Sequence, residues 1–352
     1  MKNNTMKLLV AYDGSTGANA ALDDMQRAGL PCEMQVEALV MSVADVWMLP
    51  QSASDDASIP ESARYAYSPQ VAGIVTQRRR AIDRARDAVH EMQEVAEKGS
   101  ERLRGLFPDW DVKSEACADS PAWGILKKAD EWQPDLIVVG ANSHPLLEKL
   151  MFGSVAQKIA TKARSSVRVG RANDSLANAS TPVRLIIGMD GSPDAQGALN
   201  AICARSFPVG SEAHVVTVLD SRMASGIATL LPSLSRWVGE SSQNAEVDSE
   251  DEFAWVSGMV EAAVEQLRAS GLEARGTVHE GDSKNVLLEE AQQRKADCIF
   301  IGAKGLIGSS TLSDFERFFL GTTATVVASR AACSVEIIRT YEDDHSLKMD
   351  LR

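Results

Sequence analysis

Two stretches of the chain have residues of the right type and spacing to hold a phosphate group. The first is Gly140-x2-Ser143-x9-Gly153-Ser154, and the second is Gly302-x2-Gly305-x15-Gly321-Thr322. Each starts on a glycine that ends a short apolar run and finishes on a glycine–hydroxyl pair that opens a helical run. Without a Cβ the main-chain N–H groups stay accessible, and at a helix start the helix dipole adds attraction for an anion. The hydroxyl of Ser154 or Thr322 can supply a further hydrogen bond, with Val155 and Thr323 next along. On this reading Gly140 and Gly302 leave room for a phosphate or ribose and permit a sharp exit at φ > 0. The other reading of these glycines is plain strand-to-helix turn chemistry. Ser143, standing where a glycine is wanted, costs of order 1 kcal/mol if its position is left-handed. The second copy keeps both glycines but adds six residues before Gly321, which carries Gly305 away from the last pair or folds the loop over it. Of the two sites the first is favoured.

Other side chains bear on the same chemistry. Asp13 and Asp190 each follow an apolar strand in an Asp-Gly-Ser turn, at the carboxyl end where ligands of open α/β sheets bind. Both also suit a turn or helix cap, and the two roles can coexist. His144 stands beside the first signature and is better explained as a structural surface residue before Pro145; Lys304, inside the second, is equally well explained by solvent exposure. Catalysis finds little support. The chain has no G-x4-G-K-[ST] loop, no G-x-S-x-G elbow, no H-E-x-x-H pair and no cysteine–histidine metal spacing. Its five histidines are dispersed, with no general base beside a nucleophile.

The elements that must position these residues occur twice, in one order. Lys7–Leu22 (KLLVAYDGSTGANAAL) reads like Arg184–Leu199 (RLIIGMDGSPDAQGAL), and the second apolar runs, Val36–Asp45 and Ala213–Asp220, also correspond. The first half is expected to place strands at 6–12, 35–43, 112–117, 135–139 and 166–169, separated by helices at 16–28, 77–105, 121–132 and 154–164. The second repeats this with strands at 184–189, 213–219, 273–279, 297–301 and 334–338 and helices at 193–204, 252–269, 283–294 and 321–331. Alternating strands and helices with continuous apolar runs predict parallel sheets covered on both faces. The expected fold is therefore α/β, with two tandem doubly wound five-stranded parallel sheets. Expected boundaries are 1–172 for the first domain, 173–182 for a polar linker, 183–340 for the second domain and 341–352 for a charged tail. The last strands, Ser166–Gly170 and Ser334–Arg339, alternate apolar and polar residues, which suits an edge that needs pairing.

Composition bounds the partners. A net charge of −13 over 352 residues argues against nucleic acid. The basic cluster Arg78-Arg79-Arg80 with Arg84 and Arg86 reads as a solvated helix face. No apolar run approaches the ~18 residues of a membrane span, and Met6–Tyr12 is too short for a signal peptide. Five scattered cysteines fit buried thiols in a reducing compartment.

These landmarks resemble the universal stress proteins, and specifically their tandem two-domain members. The resemblance rests on the Asp-Gly-Ser after the first strand, the second strand ending in Val-x-Asp, and the signature G-x2-G-x9-G-[ST], from which each half departs once. It implies the universal stress protein or adenine nucleotide alpha hydrolase-like fold. It also implies an adenine nucleotide (ATP, or AMP or ADP, with Mg²⁺ as an optional companion) bound near Asp13 or Asp190, with Val43 and Val218 offering backbone groups to the base. The resemblance further implies a role in stress resistance in the cytoplasm and dimerisation through the last strand, so that the two halves would pair as a pseudo-dimer within one chain; a homodimer of whole chains stays open. Two functions follow as expectations. One is a regulatory protein whose nucleotide occupancy modulates contacts with unknown protein partners, with slow ATP hydrolysis at most. The other is a scaffold or chaperone-like stress protein with degenerate sites. The long segments 44–76 and 221–251 leave the sheet beside the expected nucleotide and suit lids or partner-binding flaps.

Overall fold

The computed structural model describes residues 5–30, 35–46, 69–141, 152–172, 180–219, 249–305 and 320–340. The first half forms β1 (Thr5–Ala11), α1 (Thr16–Met25), β2 (Gln35–Asp45), α2 (Pro69–Leu106), β3 (Asp111–Asp119), α3 (Pro121–Trp132), β4 (Leu136–Gly140), α4 (Ser154–Lys162) and β5 (Ser166–Gly170). The second forms β6 (Arg184–Gly188), α5 (Pro193–Cys203), β7 (Glu212–Leu219), α6 (Ser249–Ala269), β8 (Glu273–Glu280), α7 (Ser283–Gln293), β9 (Cys298–Gly302), α8 (Thr322–Arg330) and β10 (Ser334–Ile338). Residues 47–68 and 220–248, the greater part of the two long segments, lie outside the described residues, as do residues 173–179 of the linker stretch and the tail from Tyr341.

Strand order is β3-β2-β1-β4-β5-β10-β9-β6-β7-β8. Within each half neighbouring strands run parallel. At the centre β5 meets β10 antiparallel, Arg168 opposite Glu336 and Val169 opposite Val335. The two five-stranded sheets thus join edge to edge into one of ten strands. The alternation in β5 and β10 suggested edges that need pairing; each is the edge strand of its own five-stranded sheet and pairs with the other, which buries their charged members. The physical reason is that alternation marks two unlike faces, and both faces here are covered.

Those faces differ. On one, α3, α4, α7 and α8 pack on a single apolar core that runs across the seam, from Leu9 and Ile137 through Val167 and Val335 to Ile299 and Ile186. On the other, two separate cores form, one under α1 and α2 (Leu8, Val10, Leu22, Val138) and one under α5 and α6 (Ile187, Leu199, Val215, Phe300). Between them lies a buried charged row. Arg168 Nε donates to Asp24 Oδ2 at 2.7 Å and its Nη1 to Glu336 Oε2 at 2.9 Å, while Arg205 grips the same Glu336 carboxylate with both terminal nitrogens. A second pair, Arg27 with Asp297, closes the seam at 2.9 Å.

The largely buried strand β7 carries a separate titratable cluster. His214 is 6% exposed, with Nε2 3.0 Å from Thr277 Oγ1 and 3.7 Å from Glu290, whose carboxylate also takes Arg294 at 2.7 Å. Burial, and next the Arg294 charge, push the His214 pKa from 6.5 down to about 4. The folded histidine is therefore neutral where the unfolded one gains a proton, so its stability contribution is complete above pH 6.5 and is lost as pH falls toward 4. Urea unfolding is expected to show roughly 2 kcal/mol of this loss between about pH 7.5 and pH 4.5. His214→Gln should flatten that part of the profile; an unchanged slope would rule His214 out as its source.

Candidate functional site

The chain leaves β1 for α1 on one face of the sheet and leaves the neighbouring β4 for α4 on the other, which opens a crevice at the carboxyl ends of the two strands. The second half repeats this between β6 and β9. Around each crevice the structure brings together the Asp-Gly-Ser turn, the end of β4 or β9, and the first turn of α4 or α8.

The Asp-Gly-Ser turns owe their shape to Gly14 and Gly191, at φ +75° and +79°, a conformation that side chains with a Cβ resist. Asp13 Oδ1 accepts the Ser15 amide at 3.0 Å, and Ser15 Oγ in turn caps α1 by accepting the Ala18 amide at 3.1 Å. Asp190 and Ser192 repeat both bonds, at 3.0 and 3.2 Å. Each aspartate thus makes the turn bond while its residue stays exposed at the crevice.

Gly140 and Gly302 correct one part of the sequence reading, the sharp exit at φ > 0. Neither has positive φ. A Cβ on Gly140 would lie 2.6 Å from Gly17 C and O and 2.8 Å from the Ala18 amide; one on Gly302 would lie 2.9 Å from the Ala195 amide and Asp194 Cβ. The space a side chain needs is taken by the backbone of α1 or α5. These glycines admit the helix to the strand end, and that close approach is what builds the crevice wall.

Gly153 and Gly321 stand at the N-caps of α4 and α8, in extended conformation, with no side-chain cap. Their own amides are used, donating to Ala141 O and Ala303 O at 2.8 Å. The next amides, from Ser154 and Val155 or from Thr322 and Thr323, open the helix beyond that bond. Ser154 and Thr322 are exposed, whereas Thr323 Oγ1 is tied to Ser283 Oγ at 3.1 Å. Val43 and Val218 end β2 and β7 half-buried, with the Val43 methyls packed against Gly124 of α3. A Cβ on Gly305 would lie 2.9 Å from Asp190 Oδ2, so the structure draws these two residues together. Ser143 and His144 lie outside the described residues.

One residue of the second site was missed. Asp194 Oδ2 accepts the Lys304 amide at 3.1 Å, and its Oδ1 accepts the amide and hydroxyl of Thr340 at 2.8 and 2.7 Å. A carboxylate of the protein therefore occupies a main-chain donor inside the Gly302–Gly305 turn. The signal was present in the aligned halves, since Gly17 stands at the matching position of the first. Among the described residues no three histidine, cysteine, aspartate or glutamate side chains are grouped to hold a metal, and no helix is long and apolar enough to cross a membrane. Of the cysteines described, Cys298 and Cys333 are buried; burial drives the Cys298 thiol well up and that of Cys333 to about 12, which leaves both unreactive.

Comparison with known proteins agrees with the architecture. The model of the universal stress protein family matches residues 4–171 and again 183–339. A universal stress protein from Archaeoglobus fulgidus superposes with a TM-score of 0.57 at 17% identity, covering 96% of this chain and 99% of that one. A candidate universal stress protein from Pseudomonas aeruginosa gives 0.50 at 14% identity, covering 96% and 93%. At these identities the likeness concerns the fold. Among curated proteins none matches by sequence. With the family model matched over nearly all of both halves, the chain belongs to the universal stress protein family and carries the family domain twice.

Proposed function

We propose that this chain binds an adenine nucleotide (ATP, or AMP or ADP) in its first half and that occupancy alters its contacts with protein partners in a cytoplasmic stress response. The observation that carries the reading is a contrast between helix starts. Helices α1, α5 and α7 begin under a side-chain cap from Ser15, Ser192 or Asp282. Helices α4 and α8, at the two signatures, begin on glycine without one; α3 also lacks a cap bond, but it begins on Ser120 and Pro121 removes one of its first-turn donors. Uncapped first-turn amides favour an anion through direct hydrogen bonds and the helix dipole.

The halves are unequal in this reading. In the second, Asp194 adds a negative charge and takes the Lys304 amide, where the first half has Gly17. That favours the first half for the nucleotide and gives the second the character of a degenerate site turned to protein contact, which preserves the scaffold reading for that half alone. The antiparallel β5–β10 pair supports regarding the two halves as a dimer built into one chain.

Mass analysis of small molecules released from the denatured protein, followed by nucleotide titration of variants, tests the proposal. Gly153→Val is expected to weaken ATP binding by roughly tenfold or more, the scale of one or two lost hydrogen bonds to a charged group. Gly321→Val is expected to change it little. Equal binding by the wild type and both variants would place the nucleotide elsewhere, and no binding by the wild type would remove it.

A further inference from the structure

The seam between the halves has an approximate twofold axis, and its rim obeys it closely. Arg171, just past β5, donates to Ala328 O and Cys333 O of the second half, and its amide to Ser334 Oγ. Arg339, just past β10, donates to Ala160 O and Ser165 O of the first half, and its amide to Ser166 Oγ. Donors and acceptors correspond residue for residue, each arginine meeting the carbonyl-bearing end of the other half's last helix. These contacts would serve equally well between two copies of either half.

At the axis the symmetry of residue type fails. Arg168 lies opposite Glu336 with Val167 opposite Ile337 and Val169 opposite Val335, so the axis passes through the Arg168–Glu336 pair. Two first halves joined by the same geometry would bring Arg168 against Arg168, and two second halves Glu336 against Glu336. Both side chains are at most 1% exposed, so water cannot screen such a contact. Each is further held by its own half, Arg168 by Asp24 and Glu336 by Arg205. The resulting alternation, Asp24–Arg168–Glu336–Arg205, is continuous only when the halves are unlike.

We propose that this row makes the β5 edge an interaction surface selective for an unlike half, accepting an edge strand with a carboxylate at the axis and rejecting a second copy of itself. The partner it fits is the β10 edge, of the same chain or of another copy that exchanges halves. A protease site placed within residues 173–179 allows the folded full chain to be cut, unfolded, refolded and weighed by native mass spectrometry. Wild type is expected to return overwhelmingly as mixed pairs. A variant with Asp24→Leu, Arg168→Met, Arg205→Met and Glu336→Met is expected to raise the share of like pairs by roughly tenfold or more, since it removes the like-charge clash. Like pairs at the statistical proportion in the wild type would overturn the proposal, as would a variant equally selective. If the cut chain does not refold, two full-length chains with different tags, one carrying Asp24→Lys with Arg168→Glu and the other Arg205→Glu with Glu336→Arg, are produced separately and together, so that each charge keeps an opposite neighbour within its own half. A joint dimer formed only on co-production supports the proposal; either variant alone behaving as a monomer of wild-type stability overturns it.

Discussion

Arg168→Met is expected to lower the stability of the protein by about 3–5 kcal/mol, the cost of leaving a buried charge without its partner. The guanidinium binds Asp24 at 2.7 Å and Glu336 at 2.9 Å, and all three side chains are buried. With methionine in its place Glu336 keeps Arg205, but the Asp24 carboxylate loses its ion-pair partner within an almost fully buried seam. Removing the charge on both sides, as in Asp24→Leu with Arg168→Met, should cost less than the single change, because no group is then stranded. Urea unfolding of the three proteins, followed by far-ultraviolet circular dichroism, checks this order; a single variant within 1 kcal/mol of wild type, about the worth of an exposed pair, would show that the seam admits water. The same row predicts acid sensitivity. Burial would raise the Glu336 pKa, but Arg205 and then Arg168 outweigh it and hold the carboxyl below its usual value. Its stabilising contribution is complete above the ordinary carboxylate range and is lost as pH falls below that range.

Much of this architecture was legible because it is local. Continuous runs such as Leu136–Val139 and Cys298–Ile301 mark strands buried on both faces, and the glycine–hydroxyl pairs mark the starts of α4 and α8 where the structure has them. Helix α2 begins at Pro69, ahead of the expected 77, because its first turns carry Gly73 and the β-branched Val71, Ile74, Val75 and Thr76, whose low helix propensity hides the start. What escaped depends on partners far away in the chain. Ser166–Gly170 reads as an edge strand in isolation; only β10, more than 160 residues later, turns its arginine into a buried ion-pair member. The clue lay in two aligned positions, Arg168 and Glu336, having opposite charge where the neighbouring residues are all apolar. Gly140 and Gly302 escaped for the same reason, since the atoms that exclude their side chains belong to a helix that follows a different strand.

Gly140 offers a way to separate the two reasons for a glycine at a strand end. If the position exists to leave room for a ligand, Gly140→Val should lose nucleotide affinity and keep wild-type stability. The structure predicts the opposite order of effects. A Cβ there meets Gly17 C and O at 2.6 Å, and backbone cannot rotate aside as a side chain can. Helix α1 must therefore lift from β4, and the loss is expected to reach about 3 kcal/mol or more, the upper end of overpacking costs. Gly302→Val should follow the same course in the second half, more mildly because its nearest contact is 2.9 Å and involves a side-chain carbon as well as backbone. Any loss of nucleotide affinity in Gly140→Val would then follow from displacement of the α1 end with Asp13, and would come only together with the loss of stability. A Gly140→Val protein that unfolds at the wild-type urea midpoint while failing to bind ATP would return the glycine to the ligand.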